Sequence, residues 1–178
     1  MEEQTKTPLL KPALIYGLIS GFIGILVSVI FYVMGLTLET WVGLVSLAIG
    51  IIVLVYLLIT YRNEYLGGFA SFGQIFIMGL IIGIISSIIS AAYTYLLYTV
   101  IDPDLVEKMR IAAEEKIMNT SRIPESMYDD LFEKMEKRMQ PSKLAIMGLI
   151  LGPILNAIIS LIIAAFVKKE ENPVSNAV

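Results

Sequence analysis

Four long stretches without a charged residue restrict the fold of this chain more than any other feature. They cover Pro12–Leu38, Thr40–Tyr61, Tyr65–Ile101 and Leu144–Val167. Each is longer than the roughly 20 residues that a helix needs to cross the hydrocarbon core of a bilayer. Because only 16% of the 178 residues are charged and 57% are apolar, a water-soluble globule would lack the polar residues to cover its surface. The sequence therefore predicts an all-α integral membrane protein.

The charges that flank these stretches place four transmembrane helices and one polar insert. The predicted spans lie near 13–35, 41–61, 72–99 and 144–167, the last within a 143–168 segment. An extramembrane helical hairpin is predicted at 102–142, between the third and fourth spans, with tails at 1–12 and 169–178. The first stretch is not expected to be a secretory signal, because its apolar region exceeds the roughly 7–15 residues of such a signal.

Positively charged residues near the span ends predict the orientation, because short loops that carry them stay in the cytoplasm. On the side of both termini and the 62–71 loop these residues are Lys6, Lys11, Arg62, Lys168 and Lys169. The insert also contains bases, but they are mixed with a larger number of acids and several lie far from a span end. We therefore expect both termini in the cytoplasm and the 102–142 insert outside.

The insert is predicted to form two amphipathic helices. Asp102 followed by Pro103 is typical of a helix N-cap. Apolar residues then recur at helical spacing on either side of a break at 119–124. The predicted interaction stripe consists of Leu105, Met109, Ile117, Tyr128, Leu131, Phe132 and Met135.

Three arrangements of this hairpin are open. The two stripes could pair with each other, closing a cap on the same protomer or pairing with a second copy. The methionines could instead form an adaptable partner-binding surface. The hairpin could also lie flat on the membrane, although its polar face mixes acids with bases and is not predominantly basic.

Glycine pairs four residues apart predict close helix packing in three of the four spans. These pairs are Gly17 and Gly21, Gly79 and Gly83, and Gly148 and Gly152. Small residues at this spacing let helix backbones approach each other, and packing drives helix association in lipid. A tight bundle or a tight oligomer is expected, and a permeation groove lined by small residues is the alternative.

Only uncharged polar residues are candidates for function inside the predicted spans, since these spans contain no charge. The candidates are Gln74, Ser87, Ser90 and Asn156. Asn156 is expected to form an interhelical hydrogen bond. Cys and His are absent, which removes disulfides and every zinc or haem site that needs either residue. We predict no catalytic residue, no metal ligand and no cofactor.

The order of motifs in the second half of the chain resembles a known family. The string Gly68–Phe76 leads into a Gly/Ser-rich span that ends with Tyr95 and Ile101–Asp104. A Met/Glu/Lys-rich insert follows, and then a last span ending at Ile159–Lys169. This is similar to DUF4199, a bacterial family of four-span membrane proteins of unknown function. The resemblance implies a helical insert between spans three and four and a place in the bacterial cytoplasmic membrane, but no reaction or substrate.

Two functions fit these observations. The first is a non-enzymatic scaffold or accessory subunit in the lipid bilayer, acting through helix packing and the hairpin, with a second copy or another membrane protein as partner. The second is a small oligomeric transporter or channel-like carrier for a neutral or lipidic substrate. An enzyme is not expected, because Asp102 and Glu64 fall on opposite sides of the predicted membrane. Nucleic-acid binding is not expected either, because the net charge is −3 and no segment is strongly basic.

Overall fold

The computed structural model describes residues 9–119 and 124–170. In these residues it contains no strand, and its α-helices are α1 (Leu10–Val33), α2 (Thr40–Tyr65), α3 (Phe72–Leu96), α4 (Asp104–Met118), α5 (Tyr128–Arg138) and α6 (Pro141–Val167). A π-helical turn, Leu97–Ile101, extends α3, and a 3-10 turn, Glu125–Met127, precedes α5. The prediction of an all-helical chain is confirmed. Most of the predicted tails and of the 119–124 break lies outside the described residues.

The helices α1, α2, α3 with its π-helical turn, and α6 are each long and apolar enough to cross a membrane, with lengths of 24 to 30 residues. Their outward faces carry large apolar side chains that nothing in the described chain covers, such as Phe22, Leu44 and Phe166. An apolar exterior of this extent is compatible with a multi-pass membrane protein, in which lipid covers these faces.

Local sequence signals account for several helix boundaries. A capping box begins α3: the Gln74 backbone N–H donates to Ser71 Oγ at 3.3 Å, and the Ser71 backbone N–H donates to Gln74 Oε1 at 2.8 Å. Pro141 occupies the first turn of α6, where its missing N–H costs no hydrogen bond. Gly35 and Gly67 adopt positive φ angles of 70° and 63° in the turns after α1 and α2, a conformation that glycine adopts without strain.

The helix α3 lies between α1 and α6 and contacts both. The buried core is concentrated near the end of the bundle where α2 ends and α3 begins. Its largest fully buried side chains include Leu58 and Tyr61 of α2 and Ile75, Met78 and Ile82 of α3. Only the C-terminal half of α2 contributes to this cluster, and the N-terminal half is largely exposed.

A set of polar contacts ties the α2–α3 connection to the end of α6. The Arg62 guanidinium donates to the Val167 carbonyl at 2.8 Å. Ala70 and Lys169 exchange two backbone hydrogen bonds of 2.8 and 2.9 Å, and Lys169 Nζ lies 5.2 Å from the centroid of the Phe69 ring. We call Arg62, Phe69, Ala70 and Lys169 the terminal clasp. A cation at a helix C-terminus satisfies a free carbonyl and interacts favourably with the helix dipole.

Replacing Arg62 with Gln is expected to lower the free energy of unfolding by about 1–2 kcal/mol, because the Val167 carbonyl loses a charged donor. The measurement is thermal or denaturant unfolding in a neutral detergent. Lys168→Gln is the control, since Lys168 forms an exposed ion pair with Glu170 at 3.3 Å and such pairs contribute little. Equal losses in the two variants would show that the clasp has no special role.

Candidate functional site

The tightest contact between helices runs along α3 and α6, which are antiparallel. Three positions of α3 meet three positions of α6: Gly79 faces Ser160, Gly83 faces Asn156, and Ser87 faces Gly152. We call these six residues the α3–α6 seam. A Cβ atom added at Gly83 would lie 2.5 Å from Cβ of Asn156, closer than carbon atoms approach each other. The seam therefore depends on the absence of a side chain at its glycines.

Glycines of α1 make a similar contact on the other side of α3. A Cβ atom at Gly17 would lie 2.6 Å from Cβ of Ile85, and one at Gly21 would lie 2.8 Å from Cδ1 of Ile89. Gly148, in contrast, has no atom of a neighbouring helix within 4 Å of the position a Cβ would take, among the described residues. Five of the six predicted packing glycines thus lie at helix contacts. The seam ends at Gly152 and does not include Gly148, which lies one turn closer to the start of α6.

The four predicted polar candidates are dispersed. Ser87 and Asn156 lie in the seam, where Ser87 Oγ donates to the Gly83 carbonyl at 2.7 Å. Gln74 belongs to the capping box of α3, so its side chain is used at the helix start, and Ser90 is exposed. The Ser-x-x-Gln spacing that identifies the cap was present in the sequence.

Two polar atoms in the seam have no hydrogen-bond partner among the described residues. They are Asn156 Oδ1 and Ser160 Oγ, and Ser160 is 0% exposed. The interhelical hydrogen bond expected for Asn156 is therefore not formed through Oδ1. Leaving such an atom buried and unpaired costs about 1–3 kcal/mol, so close packing is what holds α6 against Gly83.

Asp102 does not cap α4, contrary to the sequence prediction. The N-cap position is Pro103, and no side chain caps this helix end. The Asp102 carboxylate instead accepts a hydrogen bond from the Tyr32 hydroxyl at 3.2 Å and lies 3.6 Å from Lys108 Nζ. These two partners occupy the carboxylate, and Tyr32 belongs to α1, so Asp102 links the end of α3 to a distant helix.

The helix α4 lies against the end of the bundle opposite the terminal clasp. Leu105 is 4% exposed. Met109 and Ala113 line a pocket of about 210 Å³ together with Leu38 of the α1–α2 connection and Tyr98 of the π-helical turn. Part of the stripe predicted to pair with the second insert helix therefore faces the bundle.

The helix α5 contacts α4 but buries none of its own residues. The rings of Tyr128 and Phe132 stack with centroids 5.8 Å apart. A cavity of about 390 Å³, which we call the α5–α6 groove, is lined by Ile117, Leu131, Lys134, Met135, Arg138, Met139, Leu144 and Met147. Three residues of the predicted stripe, Ile117, Leu131 and Met135, thus border an open groove between α4, α5 and the start of α6, whereas Tyr128 and Phe132 do not line it.

Ion pairs within each helix involve about half of the charged residues on α4 and α5. Lys134 pairs with Asp130 at 2.6 Å, and Lys137 pairs with Glu133 at 2.5 Å. On α4, the hydrogen bonds from Arg110 lower the pKa of Glu107. Exposed pairs of this kind contribute little to stability. No group of three or more acidic, His or Cys side chains in the described ranges is placed to hold a metal ion.

A comparison with protein families assigns the chain to a known family. The model of DUF4199, described as a protein of unknown function, matches residues 15–169. The match extends from α1 to the residues just after α6, and it confirms the resemblance noted in the sequence. Neither a search of curated proteins nor a search of solved structures found a match.

Replacing Gly83 with Ala is expected to destabilise the protein by about 1–3 kcal/mol, because the new methyl group overlaps the Asn156 side chain near its backbone. Gly148→Ala is the matched control on the partner helix. It meets no atom and removes the helix penalty of glycine, so its stability should be unchanged or up to about 1 kcal/mol higher. The free energies of unfolding of both variants, measured in the same detergent, test this prediction. A loss that is no larger for Gly83→Ala than for Gly148→Ala would contradict the seam.

Proposed function

We propose a function for this chain, which belongs to the DUF4199 family of proteins of unknown function. It is a multi-pass protein of the bacterial cytoplasmic membrane, and it serves as a non-enzymatic scaffold or accessory subunit. In this proposal the four apolar helices form a packed platform with both termini in the cytoplasm. The 102–142 hairpin lies outside and is the interaction element. Its partner is a second copy of the chain or another membrane protein.

The closed seam is the observation that carries the proposal. A carrier would need a path between its helices, and polar side chains of α3 and α6 are the natural lining for one. In this chain Ser87, Asn156 and Ser160 instead pack directly against glycine backbones. Small residues let the backbones of α3 and α6 pack closely. This arrangement favours a scaffold over a carrier whose helices must separate.

The outward surface of α4 supports the second part of the proposal. Ile111 and Met118 lie seven residues apart, which puts them on one helical face, and their exposed fractions are 46% and 51%. Met127, before α5, is 48% exposed. Apolar side chains at the extramembrane end of the molecule provide the adaptable contacts that methionine-rich partner surfaces use.

Substituting Ile111 and Met118 together with Glu is expected to abolish assembly, because carboxylates cannot be buried unpaired in an interface. The mass of the reconstituted complex and the membrane proteins that co-purify with it are the measurements. Lys137→Glu is the control, since it adds a carboxylate to the polar face of α5. Replacing residues 104–140 with a flexible linker should reproduce the loss. An unchanged complex in both the double variant and the linker variant would contradict the scaffold proposal.

The second candidate is a small oligomeric carrier or channel-like protein for a neutral or lipidic substrate. The observation that favours it is the pair of unpaired polar atoms, Asn156 Oδ1 and Ser160 Oγ, buried in the seam. Water or a polar solute would satisfy both atoms if α3 and α6 moved apart.

Cysteine labelling separates the two candidates, because the chain contains no Cys. In a platform, Asn156→Cys is expected to be protected from a membrane-impermeant thiol reagent, since no water reaches the closed seam. Ser142→Cys, at the exposed start of α6, is the control that must be labelled. Labelling of Asn156→Cys at a rate similar to the control would support the carrier and reject the platform.

A further inference from the structure

The α5–α6 groove has the size and the lining of a ligand site. Its volume of about 390 Å³ falls within the range of small-molecule pockets, about 300–1,000 Å³. Six of its eight lining residues are apolar, and three of these are methionines, Met135, Met139 and Met147. Because methionine is unbranched and flexible, such a lining adapts to a long aliphatic chain.

The polar part of the groove lining is basic. It consists of Lys134 and Arg138, which are four residues apart on one side of α5. Lys134 is paired with Asp130, whereas Arg138 has no acidic partner among the described residues. Lys143, next to the lining residue Leu144, donates to the Lys137 carbonyl at 2.7 Å. A guanidinium at an apolar groove suits a phosphate, which it binds through parallel N–H donors.

The groove also continues into the apolar surface of α6. The side of the groove formed by α6 consists of Leu144 and Met147. On the same face of α6 follow Ile150 and Ile154, with exposed fractions of 56% and 53%. A hydrocarbon chain lying along this face could enter the groove without crossing water.

We propose that the α5–α6 groove binds an anionic phospholipid of the surrounding bilayer. One acyl chain lies in the groove between Met135 and Leu144, and the phosphate pairs with Arg138. This inference goes beyond the proposed function and does not depend on which partner the hairpin has. It depends on the position of the groove at the membrane surface, where the guanidinium of Arg138 is placed to pair with the phosphate of a lipid in the adjacent leaflet.

The test uses the full chain reconstituted in nanodiscs that contain equal amounts of phosphatidylglycerol and phosphatidylcholine. Native mass spectrometry then counts the lipids that remain bound. The wild-type chain is expected to retain phosphatidylglycerol preferentially. Arg138→Gln is expected to lower the ratio of retained phosphatidylglycerol to phosphatidylcholine roughly fivefold, as for the loss of one basic contact at a membrane surface.

Lys137→Gln is the matched control, because it removes one positive charge from the same helix at a residue that pairs with Glu133 and does not line the groove. The ratio should stay unchanged. Met135→Trp fills the groove and should reduce retention of both lipids, and unchanged helicity and melting in lipid-free detergent verify that each variant is folded. Equal effects of Arg138→Gln and Lys137→Gln, equal retention of the two lipids by the wild-type chain, or full retention by Met135→Trp would each overturn the proposal.

Discussion

Direct contact between the glycine backbone of α3 and small residues of α6 is the interaction on which the rest of the structure depends. Apolar side chains gain nothing by leaving lipid for one another, so helices in a bilayer associate through close packing and hydrogen bonds. In the α3–α6 seam, hydrogen bonding adds little between the helices, because Asn156 Oδ1 and Ser160 Oγ are unpaired among the described residues. Shape complementarity at Gly79, Gly83 and Gly152 therefore carries this contact.

The other elements are arranged around that pair. On the opposite side of α3, Gly17 and Gly21 of α1 pack against Ile85 and Ile89. The terminal clasp fixes the end of α6 to the α2–α3 connection, and Asp102 joins the opposite end of α3 to Tyr32 of α1. The bundle is thus held at both ends by polar contacts and along its length by packing. This leaves α5, which buries no residue, as the helix with most surface available for ligands or partners.

The sequence predicted the four long helices because an apolar stretch of more than about 20 residues without a charge is typical of a membrane span. It also predicted the packing of Gly17, Gly79 and Gly83, because small residues at four-residue spacing are a local pattern. Gly148 has the same spacing, but no neighbouring helix in the described residues comes within 4 Å of the position a Cβ there would take. The point where two helices diverge depends on their crossing geometry and not on local sequence.

The sequence also does not predict the long-range polar contacts. The carboxylate of Asp102 and the hydroxyl of Tyr32 are 70 residues apart, and Arg62 and Val167 are 105 residues apart. No spacing rule relates such pairs, so the local motif Asp-Pro predicted a helix cap that the structure does not form. The α5–α6 groove was hidden for the same reason, because three helices contribute to its wall. The cap of α3 is different, because the Ser-x-x-Gln spacing that specifies it is a local pattern in the sequence.

Disulfide trapping across the seam tests the central claim most directly, because the chain has no native cysteine to interfere. A Cβ atom at Gly152 would lie 3.2 Å from Cβ of Ser87, near the roughly 3.5–4.5 Å that a disulfide requires. The side-chain atom that a Cβ at Gly152 would overlap is the Ser87 hydroxyl, and the change Ser87→Cys replaces this atom with the bonding sulfur. The double variant Ser87→Cys with Gly152→Cys should therefore cross-link rapidly when membranes are oxidised. The pair Ser90→Cys with Gly148→Cys, outside the seam, should not. Equal cross-linking of both pairs, or none in the first, would contradict the seam.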